Sequence, residues 1–145
     1  MNSARLRLRG AIAALVTLAL CGCAPIPLAM PPNVRIGASA RALPEPRVRG
    51  NAAPAAIEAI ELSSNDVRRG RTWSGTIVTS TNVASVEIRS NLFSLDVPRQ
   101  SYGRFAFRVN VFDLPPIFIR AYRLRIIARN SAGASVEEDL PFRFR

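Results

Sequence analysis

The chain has 145 residues, room for one small domain beside its terminal segments. Its formal charge of +10 rests on 20 basic residues that are all Arg, with no Lys and no His. Without His the usual general base and the commonest metal ligand are missing, and without Lys there is neither a Schiff base nor a Ser–Lys dyad. The cysteines, Cys21 and Cys23, both precede residue 24, so the rest of the chain has no disulfide and no thiolate. Catalysis would have to run on Asp, Glu, Ser, Tyr and Arg alone. A non-enzymatic role with no cofactor and no metal is therefore expected. The Arg-only composition, rich in Ala and Pro, has the texture of GC-rich coding. That accounts for the high pI more simply than a dedicated polyanion-binding surface does.

Arg5, Arg7 and Arg9 precede the apolar run Gly10 to Leu20, with no acid among them. A basic start before so short an apolar stretch reads as a secretory leader, too short to span a bilayer comfortably. A buried N-terminal helix is the competing reading, and the charged flank speaks against it. The leader ends in Leu20-Cys21-Gly22-Cys23. This resembles the lipobox of bacterial lipoproteins, with an aliphatic residue three before the modified Cys and a small one just before it. Cys21 as the acceptor would follow the bulky Leu20 and fits less well. The resemblance implies removal of residues 1–22, a diacylglyceryl thioether at Cys23 and acylation of the new N-terminus by a palmitate-type chain. At ~0.8 kcal/mol per buried CH₂, several acyl chains would hold the protein on a membrane almost irreversibly. Ala24, being non-acidic, resembles the signal for outer-membrane sorting, facing the periplasm; cleavage and secretion as a soluble protein is the alternative.

Residues 24–56 contain seven of the 11 prolines, many Ala and no sustained periodicity. Such a segment buries too little apolar surface to offset its ordering, so residues 23–56 are expected to form a disordered tether behind the lipidated Cys23. In a polyproline-like conformation it would reach roughly 100 Å. Arg35, Arg41, Arg47 and Arg49 against Glu45 give it 4 − 1 = +3. Attraction to anionic head groups would follow at ~1 kcal/mol per Arg, as a by-product of a plain spacer.

From Ile57 the apolar residues recur with period two, the signature of half-buried strands. Ile57 to Leu62 is a weak first strand, followed by the turn-rich Ser63-Ser64-Asn65-Asp66 and the basic turn Arg68-Arg69-Gly70-Arg71. Thr72 to Thr81 reads as the second strand, Val86 and Ile88 belong to a third, and Phe93, Leu95 and Val97 to a fourth ended by Pro98. Phe105, Phe107, Val109 and Val111 line the fifth. Tyr122, Leu124, Ile126 and Ala128 form the sixth, Asn130-Ser131-Ala132-Gly133 a hairpin turn, and Leu140, Phe142 and Phe144 mark the last. About seven short strands over residues 57–145 predict an all-β, two-sheet sandwich. The pattern Tyr122-x-Leu124-x-Ile126-x-Ala128-x-Asn130-x-Ala132-Gly133, with Pro115-Pro116 ahead of it, resembles the penultimate strand and corner of bacterial immunoglobulin-like domains. The resemblance implies an immunoglobulin-like fold with Tyr122 as a tyrosine-corner residue, its hydroxyl bonded to upstream backbone. No Cys pair bridges the sheets, unlike in antibody domains.

The candidate binding face is the outward row Arg123, Arg125 and Arg129 with Arg143 and Arg145. Alternate strand positions space these guanidinium groups by about 6.6–7 Å, a ladder suited to phosphates or uronic acids. Its competitor is neutralisation by the facing strand: pairing Arg129 with Ser135 sets Arg125 opposite Asp139 and Arg129 diagonal to Glu137. Residues 57–145 hold 13 Arg and 9 acids, 13 − 9 = +4, well short of a specific nucleic-acid binder. Arg68, Arg69 and Arg71 read as a solvated turn, Trp73 as core, and Phe118 equally as core plug or exposed contact. Glu137-Glu138-Asp139 alternate sides of a strand and do not converge as Ca²⁺ requires. Two roles follow. One is a membrane-anchored envelope lipoprotein whose sandwich meets a protein partner or acts as a spacer. The other is a binder of anionic envelope polymer through the Arg face.

Overall fold

The computed structural model describes residues 28–38, 41–112 and 116–145. The leader and Cys23 lie outside the described residues, as does Pro115 of the expected corner. Among the described residues there are ten strands: β1 (Val34–Ile36), β2 (Ile57–Leu62), β3 (Asp66–Val67), β4 (Thr72–Thr79), β5 (Val83–Arg89), β6 (Ser94–Val97), β7 (Arg99–Ser101), β8 (Arg104–Asn110), β9 (Ala121–Asn130) and β10 (Ser135–Phe144). One 3₁₀ turn covers Pro116–Phe118. The strands form two five-stranded sheets, ordered β1-β2-β4-β8-β7 and β3-β10-β9-β5-β6. The fold is thus the all-β, two-sheet sandwich that the alternating pattern predicts, immunoglobulin-like as the resemblance of the Tyr122 motif implies.

The inward residues of that pattern make the core. Ile60, Leu62, Ile77 and Phe105 of the first sheet and Ile88, Leu124, Ile126 and Leu140 of the second are almost wholly buried. Trp73 is buried as expected, its ring 4.6 Å from Phe107 and 5.1 Å from Phe142 between centroids. Its indole N–H donates to the Ser64 carbonyl oxygen at 3.0 Å, so burial strands no polar group. The Tyr122 hydroxyl donates to the Phe118 carbonyl oxygen at 2.9 Å, the upstream backbone bond that the tyrosine-corner resemblance implies. Arg120 adds a second bond to that hydroxyl at 3.1 Å and lies over the ring.

Pro98 ends the fourth strand, β6, as expected. It separates β6 from β7, and the chain crosses there from one sheet to the other. Because Pro lacks an N–H, a strand that must leave one ladder for another is well served by it at the crossing.

The Pro/Ala-rich segment is the main departure from expectation. Residues 28–38 and 41–56 run along the sandwich instead of trailing from it as a mobile tether. β1 adds in parallel to the edge of β2, with Val34 opposite Ile60 and Ile36 opposite Leu62. Met30, Val34 and Ala55 pack against the core. The Arg counted as tether charge are engaged by the chain: Arg35 donates to the Arg41 and Ala42 carbonyls, Arg47 pairs with Glu58, and Arg49 donates to the Pro54 carbonyl. The physical reason is an open edge. β2 presents unpaired backbone groups, and an extended strand satisfies them at little entropic cost where proline has already stiffened the chain.

Candidate functional site

The β9–β10 hairpin sets the register of the Arg face. Ser135 pairs with Arg129 and Asp139 with Arg125, the alignment deduced from the turn. Arg125 then reaches Asp139 at 2.9 Å and Glu137 at 3.1 Å, and Arg123 reaches Asp139 at 3.5 Å. Asp139, bonded to it, and Glu137 beside it hold the Arg125 guanidinium above its ordinary pKa. Arg129 turns the other way. It meets Glu87 of β5 at 3.0 Å rather than its diagonal neighbour Glu137.

Glu87 is the electrostatic centre of this face. Its carboxylate accepts a 2.6 Å hydrogen bond from the Ser94 hydroxyl and meets Arg89 at 2.7 Å as well as Arg129. It is 8 % exposed. The Ser94 bond first, and then the Arg89 bond, outweigh desolvation and lower its pKa to about 2. The second sheet therefore carries an alternating network of guanidinium and carboxylate groups, not an open comb of cations. Of the three acids in a row, Glu137 and Asp139 serve Arg125, while Glu138 accepts from the Asn33 amide at 3.0 Å. Among the described residues no three acids converge as a metal site would need.

The candidate residues do not form one site. Arg123, Arg125 and Arg129 share the paired face, whereas Arg143 stands near the C-terminal end of β10. Arg143 is exposed and has no side-chain partner among the described residues. Its neighbour Arg145 reaches Asp66 at 2.8 Å. Around them the chain brings together residues that are far apart in sequence. Gly70 N–H donates to the Val111 carbonyl at 2.8 Å, Val111 N–H to the Arg71 carbonyl at 2.9 Å, and Arg69 N–H to the Arg145 carbonyl at 3.1 Å. The basic turn Arg68–Arg71 thus abuts the segment that leaves β8 and the C-terminus. Phe144 N–H donates to the Arg120 carbonyl at 3.2 Å and ties in the start of β9. Phe112 and Ile117 stand 82 % and 74 % exposed on this end, with Ile119 at 40 %. Phe118 is half-buried between them. Each part was visible in the sequence as a turn or an apolar tripeptide; their adjacency depends on strand order.

No family model matches the sequence, and no curated relative matches it either. Among solved structures, the fibronectin(III)-like modules of Clostridium thermocellum CbhA are similar at 15% identity. The superposition covers 62% of this chain and 93% of that one, with a TM-score of 0.44. The sandwich assignment rests on the two sheets themselves.

Proposed function

We propose that the protein is a membrane-anchored envelope lipoprotein whose sandwich is a non-enzymatic binding or structural module. The leader and the lipobox-like Leu20-Cys21-Gly22-Cys23 support the anchor, with acylation at Cys23 and the outer membrane facing the periplasm as its site. One observation carries the reading of the domain: the polar groups of its broad Arg face are committed to one another. A face whose Arg125, Arg123 and Arg129 answer Asp139, Glu137 and Glu87 stiffens a sheet and leaves little charge for a ligand. Intact mass and detergent partitioning of the protein made in a bacterium, beside Cys23→Ser, test the anchor. The expected result is a wild-type species of residues 23–145 plus acyl chains that partitions into detergent, and a variant that does not. A soluble species cut near Ala24 in both would overturn it and leave a secreted module.

The second reading, a binder of anionic envelope polymer, is favoured by Arg143, which stands exposed without a partner among the described residues beside Arg145. It requires binding that weakens steeply with salt and falls on Arg123/Arg125/Arg129→Ala with the fold intact. Salt-independent binding, or none, excludes it.

A further inference from the structure

The two features of the Arg143 end, cationic turns and exposed apolar side chains, belong together. Arg68, Arg69 and Arg71 lie on one loop, and Arg120, Arg143 and Arg145 on the strand ends beside it. In sequence, residues 66–71, 112–120 and 143–145 hold these six Arg against two acids, 6 − 2 = +4. Phe112 and Ile117 project from it largely exposed. Basic groups around protruding aromatic and aliphatic side chains are the chemistry of a surface that settles into the head-group region of an anionic bilayer.

The entry of the chain selects the same end. Leu28 lines a shallow cleft with Arg120, Tyr122, Arg123 and Pro141, at the start of β9. Cys23 is five residues earlier, so it lies within about 17 Å of Leu28 even with the chain fully extended. The far end of β9, nine residues on from Ala121 at Asn130, is roughly 30 Å away. An acyl anchor at Cys23 can therefore hold the Arg-rich end against a bilayer and is out of reach of the opposite end. We infer that the protein docks end-on through this tip, Phe112 and Ile117 entering the interface and the Arg groups meeting phospholipid phosphates. The orientation rests on the anchored reading of Cys23; the affinity of the tip for anionic lipid does not.

The test uses the mature protein in vesicles of phosphatidylglycerol and phosphatidylcholine that contain brominated lipid. Phe112→Trp reports on the tip and Tyr102→Trp on the opposite end, where Tyr102 is 75 % exposed. Each is read as the increment over the parent, whose Trp73 is buried. The expected result is bromine quenching at position 112 and none at 102. No quenching at 112, or equal quenching at both positions, would overturn the tip while leaving the anchor standing. Mass and flotation of the same preparation report on the anchor separately. Should the chain carry no acyl group, the orientation falls with the anchor, and Cys23→Ser protein sedimented with vesicles decides the tip by itself. A preference for phosphatidylglycerol over pure phosphatidylcholine that falls about 100-fold in Arg68/Arg69/Arg71→Ser supports it. Equal partition into both lipids, or partition unchanged by the triple substitution, sinks it.

Discussion

The two ends of the sandwich are closed by different means. At the end holding the β9–β10 hairpin, buried polar side chains fasten the backbone: the amides of Asn82 and Asn130 both donate to the Ala53 carbonyl, at 2.6 and 3.0 Å. The Asn130 side-chain oxygen accepts from Ala134 N–H at 2.8 Å, and Thr81 accepts from Arg49 N–H at 3.0 Å. The end holding Arg68–Arg71 is held by backbone bonds among the turn, Val111 and Arg145 and by the Arg145–Asp66 and Tyr122–Phe118 contacts, and it leaves Phe112 and Ile117 facing outward. One end spends its polar groups on the protein's own chain, whereas the other leaves cations and apolar groups facing outward. A surface with a partner is expected to look like the second.

Glycine offers the sharpest way to break that comparison. Gly103 and Gly70 both sit at positive φ, +71° and +67°, one at each end. A Cβ at Gly103 would lie 2.6 Å from the Thr79 carbonyl oxygen and 2.5 Å from Pro46, while at Gly70 it meets nothing within 4 Å. Gly103→Ala is expected to cost about 3–4 kcal/mol, strain and overlap together, and Gly70→Ala about 1 kcal/mol. Urea unfolding of the two variants checks this; equal losses would mean that the two ends are equally loose.

Asn130→Ala removes a 4 % exposed amide that serves two backbone groups, and the expected loss is about 2 kcal/mol. Hydrogen exchange should then quicken in residues 47–56 rather than in 111–120.

The paired face between the ends is sharpened by acid. Glu87 has a folded pKa of about 2, below the ordinary 4.5 of its unfolded state. Its contribution is therefore complete above pH about 4.5 and disappears as pH falls through about 2. Because solvent screens part of the network, its size is on the order of 1–2 kcal/mol. Glu87→Gln should lose that amount at pH 7 and flatten the acid limb of the stability curve, read by denaturant midpoints across pH.

Smallest is the effect of the tip cations on stability. Arg68/Arg69/Arg71→Ser should move the unfolding free energy by less than about 0.5 kcal/mol, since all three side chains are exposed. A larger loss would assign the turn a structural role.

Much of this was legible in the sequence, and the limits follow from distance along the chain. Alternation located β2, β4, β5, β6, β8, β9 and β10, the period of two being explicit in residues such as Phe105 and Phe107. The Asn130–Gly133 turn fixed the register of the hairpin, and with it the Arg125–Asp139 pair. The Arg129–Glu87 pair escaped because it spans β9 and β5, which only the sheet order makes neighbours. β1, β3 and β7 are two or three residues long and carry no period. Composition misread residues 28–38 and 41–56 for a related reason. Proline and alanine mark a segment with no core of its own, and they are silent on whether a neighbouring edge will take it in.

The contrast between the ends is tested most directly by hydrogen exchange of the protein, with and without phosphatidylglycerol vesicles. The account predicts added protection in residues 67–72 and 116–121 and none in 47–54 or 130–134. Protection at the hairpin end, or spread evenly over both, would contradict it.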